Sequence, residues 1–526
     1  MKVLVAEKIA ASGIELLKAE FEVDVLTDLT PAQLVEKIGE YDGLIVRSAT
    51  KATREVIEAG VNLKIIGRAG VGVDNVDVQA ATEHGVIVCN APTSNIVSAA
   101  EHTIALMLAQ ARNIPQANAS MKQCKWERSK FTGTEVYEKI LGVVGLGRIG
   151  ILVAERARGL GMKVLAFDPY VSEERAAQMG LELAPTLDDL LPRADFLAVH
   201  LPKTKETIGM FGPAEFAKMK TGVRLMNTAR GGIYQEEALL DALRSGKVAS
   251  AGIDVYEKEP CTDSPLFAFD QVIVTPHLGA STEEAQDRAG EQIAQFVAAG
   301  LRGEMVSTAV NIAPVAPDVM EQVGPYIPVA EALGSALGQI VRGQVYELEA
   351  HFIGALAEQD TRILKTALLK GLLTAVTQDS INFVNANLYA EQRGIQMSEH
   401  KRPDSFDYMS VMVVVAKTEL GEVKLGATLV GKKNEPRLVV MNEFELDMAP
   451  TRYMAFLKYA DRTGVVGAVG GALGEANINI ASMQVGRTEM GGSALMGINV
   501  DSPIGPELLG RIAEEVGAEG AWSIEL

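Results

Sequence analysis

The chain has 526 residues, 48% of them hydrophobic and 22% charged, and its 68 acidic against 49 basic side chains leave a net charge of -19. That balance excludes a disordered chain, the length predicts about three or four domains, and so acidic a surface argues against generic nucleic-acid binding. The three cysteines, Cys89, Cys124 and Cys261, have no CxxC spacing, which excludes a disulfide framework or a zinc ribbon and fits a reducing compartment.

The opening MKVLVAEKI reads as a strand rather than a targeting segment. Charged or polar residues interrupt every apolar run before it reaches the roughly 18 residues of a membrane span, so the expected location is the cytoplasm. Strands are predicted at 2–6, 21–27, 43–48, 63–70 and 85–90. Helices are predicted at 12–20, 31–41 and 53–60, the second opened by Thr30 and Pro31. This alternation implies parallel βαβ units with helices on both faces. Residues 94–122 read as one long apolar-periodic helix joining two domains. Six more strands, within 139–150, 162–170, 194–202, 222–232, 249–256 and 271–276, fit a doubly wound dinucleotide sheet. A helix at 281–303 is expected to pack back on the first domain. After a Pro-containing linker (311–319), a helix at 361–376 and strands at 345–354, 422–431 and 435–448 mark a segment with no catalytic motif. The tail reads β-α-β-β-α-β. The predicted fold class is therefore α/β: two doubly wound parallel-sheet domains, then an α+β intervening domain and a small βαββαβ domain. The expected boundaries are 1–97 plus 286–310, 98–285, 317–448 and 451–526.

Gly145-Leu146-Gly147-Arg148-Ile149-Gly150 directly follows an apolar strand and opens a helix, the context that makes GxGxxG a dinucleotide fingerprint. The first glycine permits the turn, the second lets the backbone approach a pyrophosphate, and the third lets helix and strand pack closely. The phosphates would then lie at a helix N-terminus. Asp168 ends the next strand, 18 residues after Gly150, where a ribose-binding acid is expected. It favours NAD over NADP because it would repel a 2′-phosphate.

Three later strand ends carry polar residues: Arg230 in NTARGG, Glu259 in DVYEKEP and His277 in TPHLGAST. Ligands of doubly wound sheets bind at the carboxyl ends of strands, so all three converge on one crevice. Hydride removal from an alcohol needs a base for the hydroxyl proton, which His277 can supply. Glu259 can hold its tautomer, and Arg230 can clamp a carboxylate. Taken singly, each reads as an ordinary surface or salt-bridge residue. No GxSxG elbow points to a hydrolase, and the six histidines show no ligand spacing, so no metal is expected.

In this order GLGRIG, the Asp168 strand, NTARGG, DVYEKEP and TPHLGAST resemble the D-isomer-specific 2-hydroxyacid dehydrogenases. VRSATK (46–51), GRAGVGVDNVD (67–77), NAPTSN (90–95) and KWERSKFTGTE (125–135) narrow the resemblance to the long-form phosphoglycerate dehydrogenases, which carry an intervening and an ACT domain. The resemblance implies NAD as cofactor and oxidation of 3-phospho-D-glycerate to 3-phosphohydroxypyruvate, the first step of L-serine biosynthesis, in a homodimer or homotetramer. It implies His277 as acid/base, Glu259 as its partner and Arg230 as carboxylate binder, with Arg47, Ser48, Asn95 and the Val71 backbone on the substrate side. Thr228, Ala229, Asp254, Gly279 and Ala280 would face the nicotinamide half. Lys125, Trp126, Arg128 and Lys130 would form a basic-aromatic patch near a dimer interface, an ordinary exposed loop being the other reading. In the ACT domain Tyr459, Asp461 and Asn479 would bind L-serine as an inhibiting effector. Lys432, Lys433, Arg437 and Arg452 are the basic candidates for an anion site in the intervening domain, where an inert spacer is an equal reading. Two rival functions stay open: a dehydrogenase of another 2-hydroxy acid, and an NAD-sensing corepressor-like binding protein.

Overall fold

In the first ninety residues, short runs of Val, Ile and Leu form β1 (Lys2–Val5), β3 (Gly43–Val46), β4 (Ile65–Arg68) and β5 (Ile87–Asn90), largely buried on both faces, and the more polar β2 (Glu22–Val25) takes an edge. The computed structural model, which describes all residues except 405 and 406, orders them 2-1-3-4-5, all parallel. The helix Pro31–Lys37 starts at a capping box, Gln33 N–H donating to Thr30 Oγ1 at 3.3 Å and Thr30 N–H to Gln33 Oε1 at 2.9 Å. The single helix expected over 94–122 is two, Ile96–Ala111 and Ile114–Lys122. Asn113 between them is left-handed (φ 52°) and Pro115 lacks the N–H that would continue the first helix.

The second sheet comprises β6 (Ile140–Val144), β7 (Lys163–Phe167), β8 (Glu182–Leu183), β9 (Phe196–Val199), β10 (Val223–Asn227), β11 (Val248–Ile253) and β12 (Val272–Val274). All seven are parallel in the order 12-11-10-9-6-7-8. Six strands were expected; β8 is a two-residue edge, too short to leave an alternation in the sequence. The order reverses between β6 and β9, the switch point beside which such sheets bind ligands. The helix Glu283–Leu301 returns to the first sheet, where Ile293, Val297, Ala298 and Leu301 are buried with Val3, Val5, Ile45 and Ile65.

The third sheet runs β13 (Val345–Gly354), β14 (Gln396–Arg402), β15 (Ser410–Thr418), β16 (Gly421–Val430), β17 (Glu435–Met441) and β18 (Phe444–Met448), in the order 14-13-15-16-17-18. Only the β13–β14 pair is parallel. The expected strand at 435–448 is a hairpin, turned at left-handed Asn442 (φ 52°) with Met441 opposite Phe444. Helices Ile327–Ile340 and Arg362–Val376 pack backbone to backbone: a Cβ on Gly334 would meet Leu368 O at 2.1 Å, and one on Gly371 would meet Glu331 O at 2.0 Å. The C-terminal unit is the expected βαββαβ, with β19 (Tyr453–Ala460), β20 (Ile480–Arg487), β21 (Ser493–Val500) and β22 (Gly520–Glu525) antiparallel in the order 20-21-19-22. Met454, Phe456, Leu495 and Ile524 of this sheet share one apolar cluster with Leu333, Leu337 and Leu438 of the third domain. No helix among the described residues is long and apolar enough to cross a membrane.

Candidate active site

The polar residues at the carboxyl ends of both parallel sheets face one another. They line a cleft of about 650 Å³ (Arg47, Ser48, Arg68, Asn95, Glu259 and His277 among others) and an adjoining one of about 460 Å³ that adds Val71, Thr228, Ala229 and Arg230. His277, Glu259, Arg68 and Asn95 wall both, so the imidazole stands where the two clefts meet.

His277 Nδ1 lies 2.6 Å from Glu259 Oε2, and Tyr256 N–H donates to Glu259 Oε1 at 3.0 Å. An Nδ1–H donated to the carboxylate leaves Nε2 as the acceptor. His277 is itself left-handed (φ 55°), a conformation uncommon for a residue with a Cβ. Asp254 holds it there: its carbonyl accepts from His277 N–H at 2.9 Å, and its fully buried carboxylate accepts from Thr275 Oγ1 (2.6 Å), Leu278 N–H (2.7 Å) and Gly279 N–H (2.9 Å). Burial alone would raise the Asp254 carboxyl; hydrogen bonds from His102, Thr275 and the two amides outweigh it and hold the pKa below its ordinary value. The Asp254 side chain is thus committed to the turn carrying His277, Gly279 and Ala280. The Thr228 hydroxyl is likewise committed, to Thr103 at 2.7 Å.

On the same sheet Arg230 follows β10, and its Nη1 donates to Ala229 O at 2.7 Å. Arg68, at the end of β4, approaches it from the other domain. Burial and then the charge of Arg230 lower the Arg68 pKa, and its buried Nε has no partner. The loop with Arg47 and Ser48 wraps Glu7, which accepts from the amides of Arg47 (2.9 Å) and Thr50 (2.7 Å). Arg47 Nη1 donates to Lys8 O. Asn90 Nδ2 holds the Val71 carbonyl at 2.5 Å, and the buried Asn95 Oδ1 is without a partner. Two guanidiniums and an unsatisfied amide oxygen around one cleft describe a receptor for a small anion with hydroxyl groups.

The dinucleotide turn sits at the switch point. Gly145 has φ 96° and a Cβ there would lie 2.6 Å from His200 O. A Cβ on Gly150 would meet Gly145 O at 2.0 Å, so only glycine lets the helix approach the strand. Gly147 differs: a Cβ there would meet nothing within 4 Å. That open space at the N-terminus of the helix Arg148–Gly159 fits a pyrophosphate. Asp168 Oδ2 accepts from Leu146 N–H at 2.8 Å, fixing the acid beside the turn. Ile149 lines the cleft, whereas the Arg148 guanidinium reaches the Pro92 carbonyl at 3.3 Å.

The candidate effector residues do not converge within one chain. Tyr459 is 2% exposed in the core of the C-terminal unit, and Asp461 Oδ2 accepts from Arg487 and the Gly491 amide. Tyr459 pairs with Ala494 at the start of β21, whereas Asn479, bonded to Asp501 at 2.7 Å, lies past its end. At ~3.3 Å per residue that separates them by about 20 Å. Of the basic candidates, Arg452 is paired with Glu525 and Arg437 with Glu435 and Asp447, while Lys432 and Lys433 are exposed. Lys125 and Trp126 lie in a loop and Arg128 and Lys130 in the short 3-10 helix after it; Trp126 is 80% exposed, and none of the four lines either cleft. The wide histidine spacing that spoke against a metal also changes on folding, because β13 and β14 bring His351 and His400 side by side.

Three family models match the chain: "D-isomer specific 2-hydroxyacid dehydrogenase, NAD binding domain" over residues 104–279, "D-3-phosphoglycerate dehydrogenase intervening domain" over 322–442 and "ACT domain" over 453–517. The chain is 44% identical over 526 residues to a D-3-phosphoglycerate dehydrogenase of Synechocystis sp., covering 100% of this chain and 95% of that one. It is 43% identical over 514 residues to one from Methanocaldococcus jannaschii, covering 98% of each. The chain belongs to the D-3-phosphoglycerate dehydrogenase family. Among solved structures it resembles a glyoxylate reductase from Paecilomyes thermophila (31% identity, TM-score 0.54, 59% of this chain and 98% of that one). It also resembles a D-lactate dehydrogenase from Escherichia coli (29%, TM-score 0.53, 59% and 100%). It is an oxidoreductase of the 2-hydroxyacid dehydrogenase type, with an NAD-binding Rossmann domain and a C-terminal ACT domain.

Sequence reasoning passed over two residues of this site. Arg68 falls within the strand predicted at 63–70 and is assigned no role there, yet it lines both clefts. His200 directly follows β9 beside Gly145; it is half-buried, its buried Nε2 has no partner, and burial pushes its pKa down to about 4. Arg68 ends a sheet strand and His200 directly follows one, and that position is the signal by which they could have been found.

Proposed function

We propose that this chain oxidises 3-phospho-D-glycerate to 3-phosphohydroxypyruvate, the first step of L-serine biosynthesis, with inhibition by L-serine. NAD⁺, when bound over Gly147, supplies the hydride acceptor. His277 Nε2 takes the substrate hydroxyl proton as the hydride leaves carbon 2, and Glu259 stabilises the imidazolium through Nδ1. Arg230 clamps the carboxylate; Arg68, Arg47 and Ser48 bind the phosphate, and Asn95 the hydroxyl side. Asp254 keeps the His277 turn in its left-handed conformation. The observation that carries the reading is the 2.6 Å His277–Glu259 contact in a cleft whose walls also hold Arg68 and Arg230. A substrate with a negative group at each end matches such a pair of cations, and a monoanionic 2-hydroxy acid leaves one idle.

The effector residues suit an assembly. Two ACT units paired edge to edge can bring Asn479 of one to Tyr459 and Asp461 of the other, with backbone amides before the helix Val465–Glu475 available to a carboxylate. The test is NADH formation from 3-phosphoglycerate and from D-lactate, with and without L-serine, for the parent and for Arg68→Met. The reading requires turnover on phosphoglycerate, inhibition by serine, and a KM at least about tenfold higher in the variant, or ~1.4 kcal/mol of lost binding. Equal efficiency of parent and variant on phosphoglycerate, with faster turnover of lactate, would move the assignment to an unphosphorylated 2-hydroxy acid.

A further inference from the structure

The face of the third sheet away from its helices carries side chains with no part in the dehydrogenase site. β13 and β14 run parallel with His351 opposite His400 and Glu349 opposite Ser398. Residues two apart on a strand share a face, so these four stand together. The imidazoles of His351 and His400 stack with centroids 4.6 Å apart and planes 18° from parallel. His351 Nε2 lies 3.2 Å from Glu349 Oε2, and one donor atom from each of the three residues falls within 4.8 Å of the others. Ser398 Oγ beside them is buried without a hydrogen-bond partner.

We propose that Glu349, His351 and His400 form a binding site for a divalent transition-metal ion of the zinc class. Two imidazole nitrogens and one carboxylate oxygen are the donor set such ions take, whereas magnesium and calcium prefer oxygen alone. Ligands about 2.0–2.2 Å from a tetrahedral ion stand ~3.3–3.6 Å apart. The Glu349–His351 pair, at 3.2 Å, is already close to that spacing, and a rotation of the exposed His400 ring would bring in the third donor. Lys417 donates to the other Glu349 oxygen and to Glu347, which orients the carboxylate as outer partners of metal ligands do. Two carboxylates against one ammonium leave this group net negative before a cation arrives. The fourth position falls to water or to the unpartnered Ser398 hydroxyl. A bound ion would pin the edge strand β14 to β13.

The test is cobalt titration of the full-length, chelator-treated chain, read by ligand-field absorption, with zinc as displacing competitor. One cobalt per chain is expected at this site. His400→Asn and Glu349→Gln should each weaken binding by at least about a hundredfold, while His277→Asn leaves the bands intact. Zinc should raise the melting temperature of the parent and not of His400→Asn. Absence of the bands in the parent overturns the proposal. So does their persistence in His400→Asn together with loss in His277→Asn, which would place the ion at the His277–Glu259 pair. The readout is metal and melting, independent of turnover.

Discussion

The two glycines of the dinucleotide turn make separable demands, and alanine at each gives opposite outcomes. At Gly150 the new Cβ would sit 2.0 Å from Gly145 O, a backbone atom that cannot swing aside. The helix must withdraw from β6 by about 1 Å, and overpacking of this kind costs ~1–3 kcal/mol. At about 2–4 °C per kcal/mol for a domain of this size, Gly150→Ala should melt several degrees below the parent without any ligand. At Gly147 a Cβ meets nothing within 4 Å, and φ -69° with ψ -174° is open to any residue. Gly147→Ala should therefore lose only the difference in N-cap preference, under about 1 kcal/mol. Its Cβ instead occupies the space where the pyrophosphate meets the helix N-terminus. NADH affinity, read by cofactor fluorescence, should fall at least about tenfold, or ~1.4 kcal/mol. Melting without ligand and NADH titration of both variants separate packing from binding. If Gly147→Ala binds NADH as the parent does, the turn does not carry the phosphates. A Gly150→Ala chain that melts with the parent refutes the packing account.

Glu259→Gln keeps the shape of the 2.6 Å contact but removes the charge that steadies an imidazolium, so turnover should fall about 10²–10⁴-fold with NADH affinity unchanged, measured by steady-state kinetics and fluorescence. Asp195 is raised by burial but lowered by more through the Ile140 amide (2.8 Å) and Lys220 (2.9 Å), so its folded pKa lies below its ordinary value. A depressed acid stabilises the fold above its unfolded pKa and loses that contribution as pH falls through the folded one. Asp195→Asn should therefore flatten the loss of stability below about pH 4 and cost no more than ~1 kcal/mol at neutral pH, read by urea melts across pH. Asn382 Nδ2 donates to Gly85 O at 2.7 Å, joining the third domain to the first. Under the proposed feedback, Asn382→Ala should leave uninhibited turnover intact and raise the serine concentration needed for half-inhibition severalfold.

The parallel sheets were legible because their strands are short apolar runs punctuated by amphipathic helices, and a doubly wound order follows from that alternation. The reading failed where local chemistry overrode periodicity. Residues 94–122 keep a helical apolar repeat through a left-handed Asn113, and 435–448 keeps a strand-like pattern through the Asn442 turn. The site divides the same way. Glycines, His277, Glu259 and Arg230 announce themselves by type and place at strand ends. Asp254 looks like one more polar strand end; only the fold shows its carboxylate spent on holding the turn. Arg68 was hidden because its meaning depends on Arg230, 162 residues away in the sequence and on the other domain. The His351–His400 juxtaposition is invisible for a similar reason: parallel pairing with a long connection places residues 49 apart in register, and no local spacing encodes it.

The contacts of the C-terminal half limit how it would act on the cleft under the proposed feedback. Met454, Phe456, Leu495 and Ile524 share an apolar cluster with Leu333, Leu337 and Leu438, so the ACT sheet and the third domain pack as interdigitated side chains over one core. Close-packed cores transmit displacement rather than absorb it, so under the proposed pairing a change in the ACT unit would move both units together. The links to the catalytic half are narrow by comparison. Asn311 in the connecting segment donates to Val86 O and accepts from Val88 N–H, and Asn382 donates to Gly85 O. Both grip the start of β5, whose far end carries Asn90, the residue that holds the Val71 carbonyl, and leads on to Asn95 in the cleft. β5 is only four residues long, and its central Val88 and Cys89 are fully buried. Under the proposed feedback, a pull at Gly85 would therefore reach Val71 and Asn95 along β5 and would change the gap between the domains rather than the geometry of His277 and Glu259, which belong to the other sheet.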